Sequence, residues 1–417
     1  MINFLQRYKF PLVLILILVT IYLAEKGIRY TDMNDNPVVI TLNTYNLPGL
    51  AKLATFSVFI VSLLFKSKIR RLQHLALVFI SSVTPAILIE LIFAAVLCFQ
   101  GGTTFNTSGS YTKKFFKYDK LLGYTCIPDI KVNSIKKVIN GQDTLAVYNV
   151  RYTIDSLSRR LTPLTAKSKL DKQYALFFGC SFTFGEGVND DETYPYYFSK
   201  TDSAFIPYNY GLCGYGTQQM LAKLQAGNLR AAISEPNGIA VYLHIPMHIN
   251  RVIGDMFVHN IWGANMPCYD LEAGELIHKG SFKNGRPFIS KLYSFLGKSN
   301  ALRYFNVNFP VKMNSHHFDV TSRLIEKSYQ TYKRQFGNDN FFVVIYHQSD
   351  EIKSRLQKKG IKVLDYSDTF DISAKEFQIH PQYEKHPNAH AYQILAEKLL
   401  ADIRRLSAGQ SPEAYEK

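Results

Sequence analysis

The sequence predicts an α/β protein: a three-layer α/β/α domain with a parallel sheet, preceded by three transmembrane helices. Two observations predict this architecture. From about residue 105 onward, short β-type runs alternate with amphipathic helical patterns, which is typical of βαβ units whose parallel sheet is covered on both faces. The first part of the chain holds three long apolar runs with few charges, as segments that cross a bilayer do.

Eight segments carry the alternating pattern after residue 170. Strands are predicted at 174–178, 238–245, 341–346 and 361–366, and helices at 218–233, 321–336, 351–359 and 388–406. Segment 252–318 is longer than an ordinary strand–helix connection, so we expect an insertion there on the substrate side. The predicted domains are therefore a membrane anchor at 1–104, a linker and preamble at 105–170, and the α/β domain at 171–410.

The three predicted spans lie at about 10–24, 50–65 and 75–99. We expect the first to be an uncleaved anchor rather than a signal peptide, because no small-x-small cleavage site follows it. The distribution of positive charge predicts the orientation of the spans in the membrane, because cytoplasmic loops are rich in Lys and Arg. Such residues precede the first span or fill the loop between the second and third: Arg7, Lys9, Lys66, Lys68, Arg70 and Arg71. A multi-pass protein of the inner (cytoplasmic) membrane is predicted, with everything after Gln100 on the periplasmic, extracytoplasmic side.

The formal net charge of +15 does not indicate nucleic-acid binding, because part of the excess flanks the apolar runs and no recognition motif is present. The five cysteines show neither a CxxC pair nor zinc-ligand spacing. We therefore predict no nucleic-acid partner, no metal and no cofactor. Cys180 and Cys213 could form a disulfide if they lie close together in an oxidising compartment, although buried free thiols are the simpler expectation.

The first predicted strand of the α/β domain leads into a glycine-rich turn, Gly179-Cys-Ser-Phe-Thr-Phe-Gly185. Open α/β sheets place their chemistry in the loops beyond the carboxyl ends of the strands. A serine at the apex of such a turn, here Ser181, can attack an acyl carbon if a base takes its proton and backbone N–H groups face the oxyanion. Ser181 is therefore the candidate nucleophile.

This turn resembles block I of the SGNH (GDSL-like) hydrolases and acyltransferases, GDSFTxG, with Cys180 where that family commonly has Asp. Upstream, 118–124 and 150–160 look like the preamble of membrane-anchored bacterial members. Downstream, Asn209-Tyr-Gly-Leu-Cys-Gly-Tyr-Gly-Thr217 is similar to block II, whose glycine donates its N–H to the oxyanion. The resemblance, which covers about residues 115–406, implies an oxyanion site made by the amides of Ser181 and Gly214.

Near the C-terminus, His380-Pro-Gln-Tyr-Glu-Lys-His-Pro-Asn-Ala-His390 is similar to block V, in which an Asp and a His precede the last helix. The resemblance implies that His386, in the His-Pro-Asn start of that helix, is the general base. Glu384 is the candidate carboxylate that orients the imidazole ring. We expect surface or capping roles for His380 and His390, since neither is followed by Pro-Asn.

Block III is where the sequence departs most from the family, which presents an oxyanion-donating Asn after the middle strand. Here that strand is followed by Met247-His-Ile-Asn-Arg251. Met247 cannot donate a hydrogen bond, so His248 is the candidate third donor, and Asn250 is the alternative. A buried structural role for His248 also remains open. The candidate substrate-binding residues are Asn250, Arg251 and, in the insertion, Trp262.

The resemblance implies a membrane-anchored serine esterase or O-acyltransferase that acts on acyl esters, above all acetyl esters, of extracytoplasmic glycans such as polysaccharides. Hydrolase and transferase differ in whether water or a sugar hydroxyl resolves the acyl-enzyme, and the transferase would need an acyl donor, such as a membrane protein partner. The alternative from another class is a non-catalytic SGNH-like module that binds or assembles glycan or lipid, since a shared fold hosts many functions.

Overall fold

The computed structural model describes residues 28–31, 37–40, 49–57, 70–101, 106–140, 143–163, 171–369 and 374–409. The described chain divides into two compact units: one within residues 1–104 together with 292–308, the other comprising 105–291 and 309–417. The strands are β1 (Ile28–Thr31), β2 (Pro37–Ile40), β3 (Asn106–Tyr111), β4 (Phe116–Asp119), β5 (Gly123–Cys126), β6 (Ile130–Asn140), β7 (Asp143–Ile154), β8 (Gln173–Phe178), β9 (Phe205–Asn209), β10 (Gly238–His244), β11 (Pro267–Glu272), β12 (Glu275–Ser281), β13 (Phe341–Ile345), β14 (Lys362–Asp365), β15 (Gln378–His380) and β16 (Glu384–Pro387).

Helices cover much of the remainder. They are α1 (Arg70–Gly101), α2 (Ser181–Phe184), α3 (Tyr194–Thr201), α4 (Thr217–Gln225), α5 (Met247–Ile253), α6 (Met256–Val258), α7 (Phe282–Gly285), α8 (Pro287–Leu296), α9 (Asn300–Tyr304), α10 (Ser315–Phe336), α11 (Asp350–Gln357) and α12 (Ala389–Ser407). Residues 49–57 are also helical. Single turns of 3₁₀ helix lie at Asp190–Glu192, Arg230–Ala232 and Lys375–Phe377, and a π-helical turn lies at His259–Gly263.

The predicted parallel sheet is present, with five strands in the order β14-β13-β10-β8-β9. Every neighbouring pair is parallel. Alternate residues of β8 point to opposite faces, as the two-residue period of a strand requires. Phe177 packs with Phe198 of α3 and Leu399 of α12 on one face, while Leu176 packs with Tyr332 of α10 on the other. The layers are therefore α/β/α, as the sequence predicts.

The helix predicted at 218–233 is shorter in the structure. It ends at Gln225, because Gly227 takes a left-handed φ of 78° and turns the chain away from the helix axis. The other predicted helices and strands are observed with ends shifted by a few residues. The hairpin in the insertion forms from β11 and β12, with Tyr269 opposite His278.

Residues 106–154, which the sequence analysis treats as linker and preamble, form antiparallel strands. A three-stranded sheet runs β3-β6-β7, and β4 and β5 form a separate hairpin. In β7 the even-numbered residues from 148 to 154 are buried, a two-residue period that signals a strand with one buried face. Tyr152 of β7 packs on Phe184, just after the Ser181 turn. This sheet is therefore part of the structure that holds the candidate nucleophile.

One predicted membrane span lies outside the described residues, one lies partly within them, and one lies wholly within them. The span at 10–24 lies wholly outside them, and of 50–65 only 50–57 is described, as helix. The span at 75–99 lies within α1, in which Leu77–Leu97 is long and apolar enough to cross a membrane. It is the one such helix in the described part of the chain.

Candidate active site

The structure places Ser181 on a sharp turn between β8 and α2. Gly179 has a positive φ of 154°, and a Cβ there would lie 2.2 Å from Thr183 Oγ1. Only glycine allows the backbone to pass so close to the turn. Ser181 then begins α2, so its amide is one of the N–H groups that a helix start leaves without an intrahelical acceptor. The turn thus presents a hydroxyl and a free amide at the carboxyl end of β8.

Arg160 holds this turn in place, a role that the sequence analysis did not predict. Its guanidinium is buried and donates hydrogen bonds to Phe184 O at 2.8 Å and to Val188 O at 2.7 Å. Its Nε lies 3.1 Å from a carboxylate oxygen of Asp190. Planar guanidinium groups suit such multidentate contacts. The three acceptors lie on residues that follow Ser181 in sequence, so Arg160 fixes the loop that comes directly after the nucleophile.

Ser181, His386 and Glu384, the three residues predicted to act together, are adjacent in the structure. His386 Nε2 lies 2.8 Å from Ser181 Oγ, and His386 Nδ1 forms a short hydrogen bond with Glu384 Oε1. Glu384 Oε1 also accepts the backbone N–H of His386 at 3.2 Å. The chain of contacts from carboxylate to imidazole to hydroxyl is that of a serine nucleophile with an oriented base.

Two charged residues that the sequence analysis missed complete the surroundings of His386. Lys136 of β6 donates from Nζ to Glu384 Oε2 at 2.8 Å. Glu186, which follows the Ser181 turn, places Oε2 at 3.5 Å from His386 Nε2. Lys136 lies 248 residues from Glu384, so no local pattern could have revealed this contact.

These contacts shift the ionisation of the base and its carboxylate. Burial opposes the charged form of His386, but Glu186 and Glu384 outweigh it and raise the pKa of His386 above its usual value. For Glu384, burial favours the neutral acid, while the hydrogen bonds and charges of His386 and Lys136 outweigh burial and lower its pKa to about 2. Glu384 is therefore ionised at neutral pH, and its charge favours the protonated form of His386.

The opposite charges of Glu186 and Lys136 predict opposite changes in the pH dependence of activity. If His386 is the general base of an ester hydrolysis, the reaction needs its neutral form, and kcat/KM should fall as the pH decreases through the His386 pKa. Glu186→Gln removes a charge that raises this pKa, and the acid limb should move to lower pH. Lys136→Met removes a charge that lowers it, and the acid limb should move to higher pH. A pH profile of kcat/KM measures both, and shifts in the same direction would contradict the assigned electrostatics.

The predicted oxyanion donors Ser181 and Gly214 both line one cavity of about 650 Å³. Gly214 has a φ of 80°, and a Cβ there would lie 2.4 Å from Tyr124 Oη. In the described part of the chain, neither amide donates a hydrogen bond to a protein acceptor. Two unpartnered amides beside the nucleophile are what a developing oxyanion requires.

The structure does not bring His248, the candidate third donor, to this cavity. The strand before it ends at His244, and α5 begins at Met247, which directs His248 inward. Its side chain is fully buried, and Nδ1 lies 2.7 Å from Tyr242 Oη. Burial, Arg251 and His244 lower the pKa of His248 well below its usual value. This placement gives no support to an oxyanion role and agrees with the buried structural alternative.

Among the predicted substrate-binding residues, Arg251 and Trp262 line the cavity and Asn250 does not. Asn250 instead donates to Asp255 Oδ2 at 2.7 Å, so it is a poor alternative donor as well. Trp262 Nε1 donates to Gly214 O at 3.2 Å, which ties the insertion to the loop that carries the oxyanion amide. The remaining wall is largely aromatic, and its rings are Tyr111, Phe116, Tyr118 and Tyr124.

Cys180 and Cys213 carry free thiols in the structure. Burial, with a smaller contribution from Glu186, raises the pKa of Cys213 well above its usual value, so Cys213 is a protonated thiol rather than a thiolate. The described residues hold no group of three or more His, Cys, Asp or Glu side chains arranged to bind a metal ion.

The fold and the site define the class: a three-layer α/β protein with a Ser–His–Glu arrangement of the serine-hydrolase type. The motifs around Ser181 and His386 resemble the SGNH superfamily, and similar solved structures carry the name of that family. One is a member of the lipolytic protein G-D-S-L family from Veillonella parvula, at 16% identity over 56% of this chain and 99% of that chain, with a TM-score of 0.32. Another is a putative lipolytic protein of the G-D-S-L family from Desulfitobacterium hafniense, at 13% identity over 54% and 97%, with a TM-score of 0.29.

A third similar structure is an acetyl xylan esterase from the rumen bacterium Butyrivibrio proteoclasticus, at 11% identity over 71% of this chain and 86% of that chain, with a TM-score of 0.33. Similarity at this level says nothing about the substrate of this chain. No protein-family model and no curated protein matches the sequence.

Proposed function

We propose that this chain is a membrane-anchored SGNH-type serine esterase or O-acyltransferase that acts on acetyl or other acyl esters of extracytoplasmic glycans. The observation that carries the proposal is the contact chain from Glu384 through His386 to Ser181, which opens into a cavity large enough for a small ligand. The aromatic wall of that cavity supports a sugar substrate, because sugar rings stack on aromatic side chains.

The proposed reaction proceeds through an acyl-enzyme. His386 Nε2 takes the proton from Ser181 Oγ as the oxygen attacks the ester carbonyl carbon. The oxyanion accepts hydrogen bonds from the Ser181 and Gly214 amides, and the intermediate collapses as His386 protonates the leaving alcohol. Water, or a sugar hydroxyl in a transferase, then gives its proton to His386 and attacks the acyl carbon. His386 returns that proton to Ser181 Oγ as the bond between Oγ and the acyl carbon breaks, which restores the free enzyme.

Activity-based labelling tests this function. A fluorophosphonate probe should label the purified chain at Ser181 and should not label the Ser181→Ala chain. Labelling requires an activated serine, which a non-catalytic binding module would lack. A folded chain that remains unlabelled under conditions where a known serine esterase reacts fully would overturn the enzyme proposal and favour the glycan- or lipid-binding alternative.

Arg251 supports an anionic substrate. Its side chain is 8% exposed and lines the cavity. Among the described residues, its guanidinium donates one hydrogen bond, from Nη1 to Tyr215 O at 2.8 Å, and Nε has no acceptor. No carboxylate within the described residues forms an ion pair with it. Because a buried charge without a counter-charge is costly, a negatively charged group on the substrate is its proposed partner.

Arg251→Gln should therefore discriminate between substrates. On a neutral acetyl ester we expect little change in kcat/KM. On an acetylated sugar that carries a carboxylate, KM should rise about ten- to a hundredfold, because a hydrogen bond to a charged group contributes about 1.5–3 kcal/mol. Steady-state kinetics on both substrates measure the difference, with Arg251→Lys as the control that keeps the charge. An equal loss of kcat on both substrates would indicate that Arg251 acts on the oxyanion instead.

The anchor is part of the same proposal and has its own support. Apolar side chains of α1 are largely exposed, among them Leu77, Val78, Leu88 and Ile92, whereas the core helix of a soluble protein buries such residues. We expect a topology reporter fused after Gln100 to behave as exported, and one placed between Lys66 and Arg71 to behave as cytoplasmic. An exported reporter at both sites, or at neither, would contradict the multi-pass inner-membrane orientation.

A further inference from the structure

The insertion contains a long stretch that is basic and rich in exposed aromatic residues. Between Glu275 and Asp319 the chain has no acidic residue. It has these basic residues: Lys279, Lys283, Arg286, Lys291, Lys298, Arg303 and Lys312. A stretch of this composition is typical of segments that bind the surface of an anionic membrane.

Helix α8 within this stretch presents an apolar stripe to solvent. Phe288, Leu292 and Phe295 are 75%, 38% and 71% exposed. Their spacing of i, i+4 and i+7 places them on one face of the helix. Lys291 and Lys298 are also exposed, so the helix and the residues after it combine apolar and basic groups. Because large apolar groups in water are unfavourable, a contiguous stripe of them indicates a binding surface.

The continuation of this helix contacts α1, the candidate membrane span. Glu90 of α1 accepts hydrogen bonds from Ser299 Oγ and from the backbone N–H of Asn300, each at 2.5 Å. Phe93, one turn further along α1, packs its ring 4.8 Å from that of Tyr304 and 5.1 Å from that of Phe305. The carboxylate within the apolar helix is thus partnered by the insertion, as a polar group at membrane depth must be.

The position of Glu90 sets the depth of this contact. Glu90 lies seven residues before Leu97, where the candidate span ends, and a helix rises about 1.5 Å per residue, so the contact lies about 10 Å inside that end. Interfacial helices insert their apolar face about 5–10 Å into the boundary between headgroups and acyl chains. The depth of the Glu90 contact and the exposed apolar stripe therefore both indicate a position at the boundary between headgroups and acyl chains.

We propose that residues 287–305 form an interfacial membrane segment that binds anionic phospholipids. Its exposed apolar side chains lie in the outer leaflet: Phe288, Leu292, Phe295 and Phe305. Its basic side chains contact the headgroups: Lys291, Lys298 and Arg303. This inference rests on the membrane anchor of the proposed function and extends it. The chain is then attached to the bilayer at two places, through α1 and through this segment.

Quenching by brominated lipids tests the segment in the full-length chain. Trp262 is the sole tryptophan of the protein, so Trp262→Phe gives a background in which one introduced tryptophan can be followed. The matched pair is Phe295→Trp in the segment and Leu157→Trp, at a residue 50% exposed in the α/β unit. Both chains are reconstituted in nanodiscs of brominated phosphatidylcholine with phosphatidylglycerol. We expect the Phe295→Trp emission to be quenched severalfold more than the Leu157→Trp emission.

Equal quenching in the two chains would overturn the interfacial segment, and Phe288→Trp provides a second position should Phe295→Trp fail to fold. Quenching that appears only at high protein density in the discs would also overturn it, because a second protein copy would then cover the stripe. Carbonate extraction separates this inference from the anchor: release of the chain from membranes contradicts α1 as a span, whereas an integral chain without quenching contradicts the segment alone. The measurement does not depend on ester hydrolysis.

Discussion

Ser181→Ala and His386→Ala are each expected to lower kcat on an acetyl ester by about 10⁴- to 10⁶-fold, because a serine and its base act as a unit. In the proposed reaction the proton of Ser181 passes to His386 across the 2.8 Å contact between Oγ and Nε2, so loss of either residue removes the same step. The double variant should therefore be scarcely worse than either single variant. Initial rates measured with a chromogenic acetyl ester, over a wide range of enzyme concentration, provide the comparison.

His390→Ala is the control for this experiment. His390 lies in the same segment as His386, but its exposed ring stacks on Phe377, 5.7 Å away, and it makes no contact with Ser181. Its removal should leave kcat unchanged. Additive losses in the double variant, or substantial activity in a Ser181→Ala chain shown to be free of contaminating esterase, would reject the Ser181–His386 pair.

Glu384→Gln is expected to lower kcat by about 10²- to 10⁴-fold, less than loss of Ser181. The amide keeps the size of the side chain but removes the charge that stabilises imidazolium, and it can hold His386 in the wrong tautomer. It also leaves Lys136 facing a neutral group in place of the 2.8 Å ion pair. Rates should be measured on the plateau above the His386 pKa, so that the loss reflects chemistry and not protonation.

Glu186→Gln is the matched control, since it makes the same chemical change on the Nε2 side of the imidazole ring. Glu186 lies 3.5 Å from His386 Nε2 and does not orient the ring through Nδ1, so the plateau rate should change little while the acid limb shifts. Comparable plateau losses for both variants would mean that Glu384 has no special orienting role. A fully active Glu384→Gln chain would remove it from the triad altogether.

Local sequence signals were sufficient to single out Ser181, Glu384 and His386, which the structure brings into contact, because each signal lies within a few residues. Ser181 follows a buried strand and a glycine-rich turn, and that order of elements places it at the end of the sheet. Glu384 and His386 are two residues apart in β16, and the two-residue period of a strand places both side chains on one face. The alternating strand and helix patterns likewise predict the parallel sheet and its two helical layers.

The surroundings of the triad could not be predicted in this way, because tertiary contacts decide them. Lys136 reaches Glu384 only when the β3-β6-β7 sheet folds beside the Ser181 turn. Tyr242 Oη, 2.7 Å from Nδ1, and the start of α5 direct His248 into the core, although its place after the central strand suggested a donor. Sequence alone therefore predicted the three residues that the structure brings together, while tertiary packing decided which charges surround them and which side chains reach the cavity.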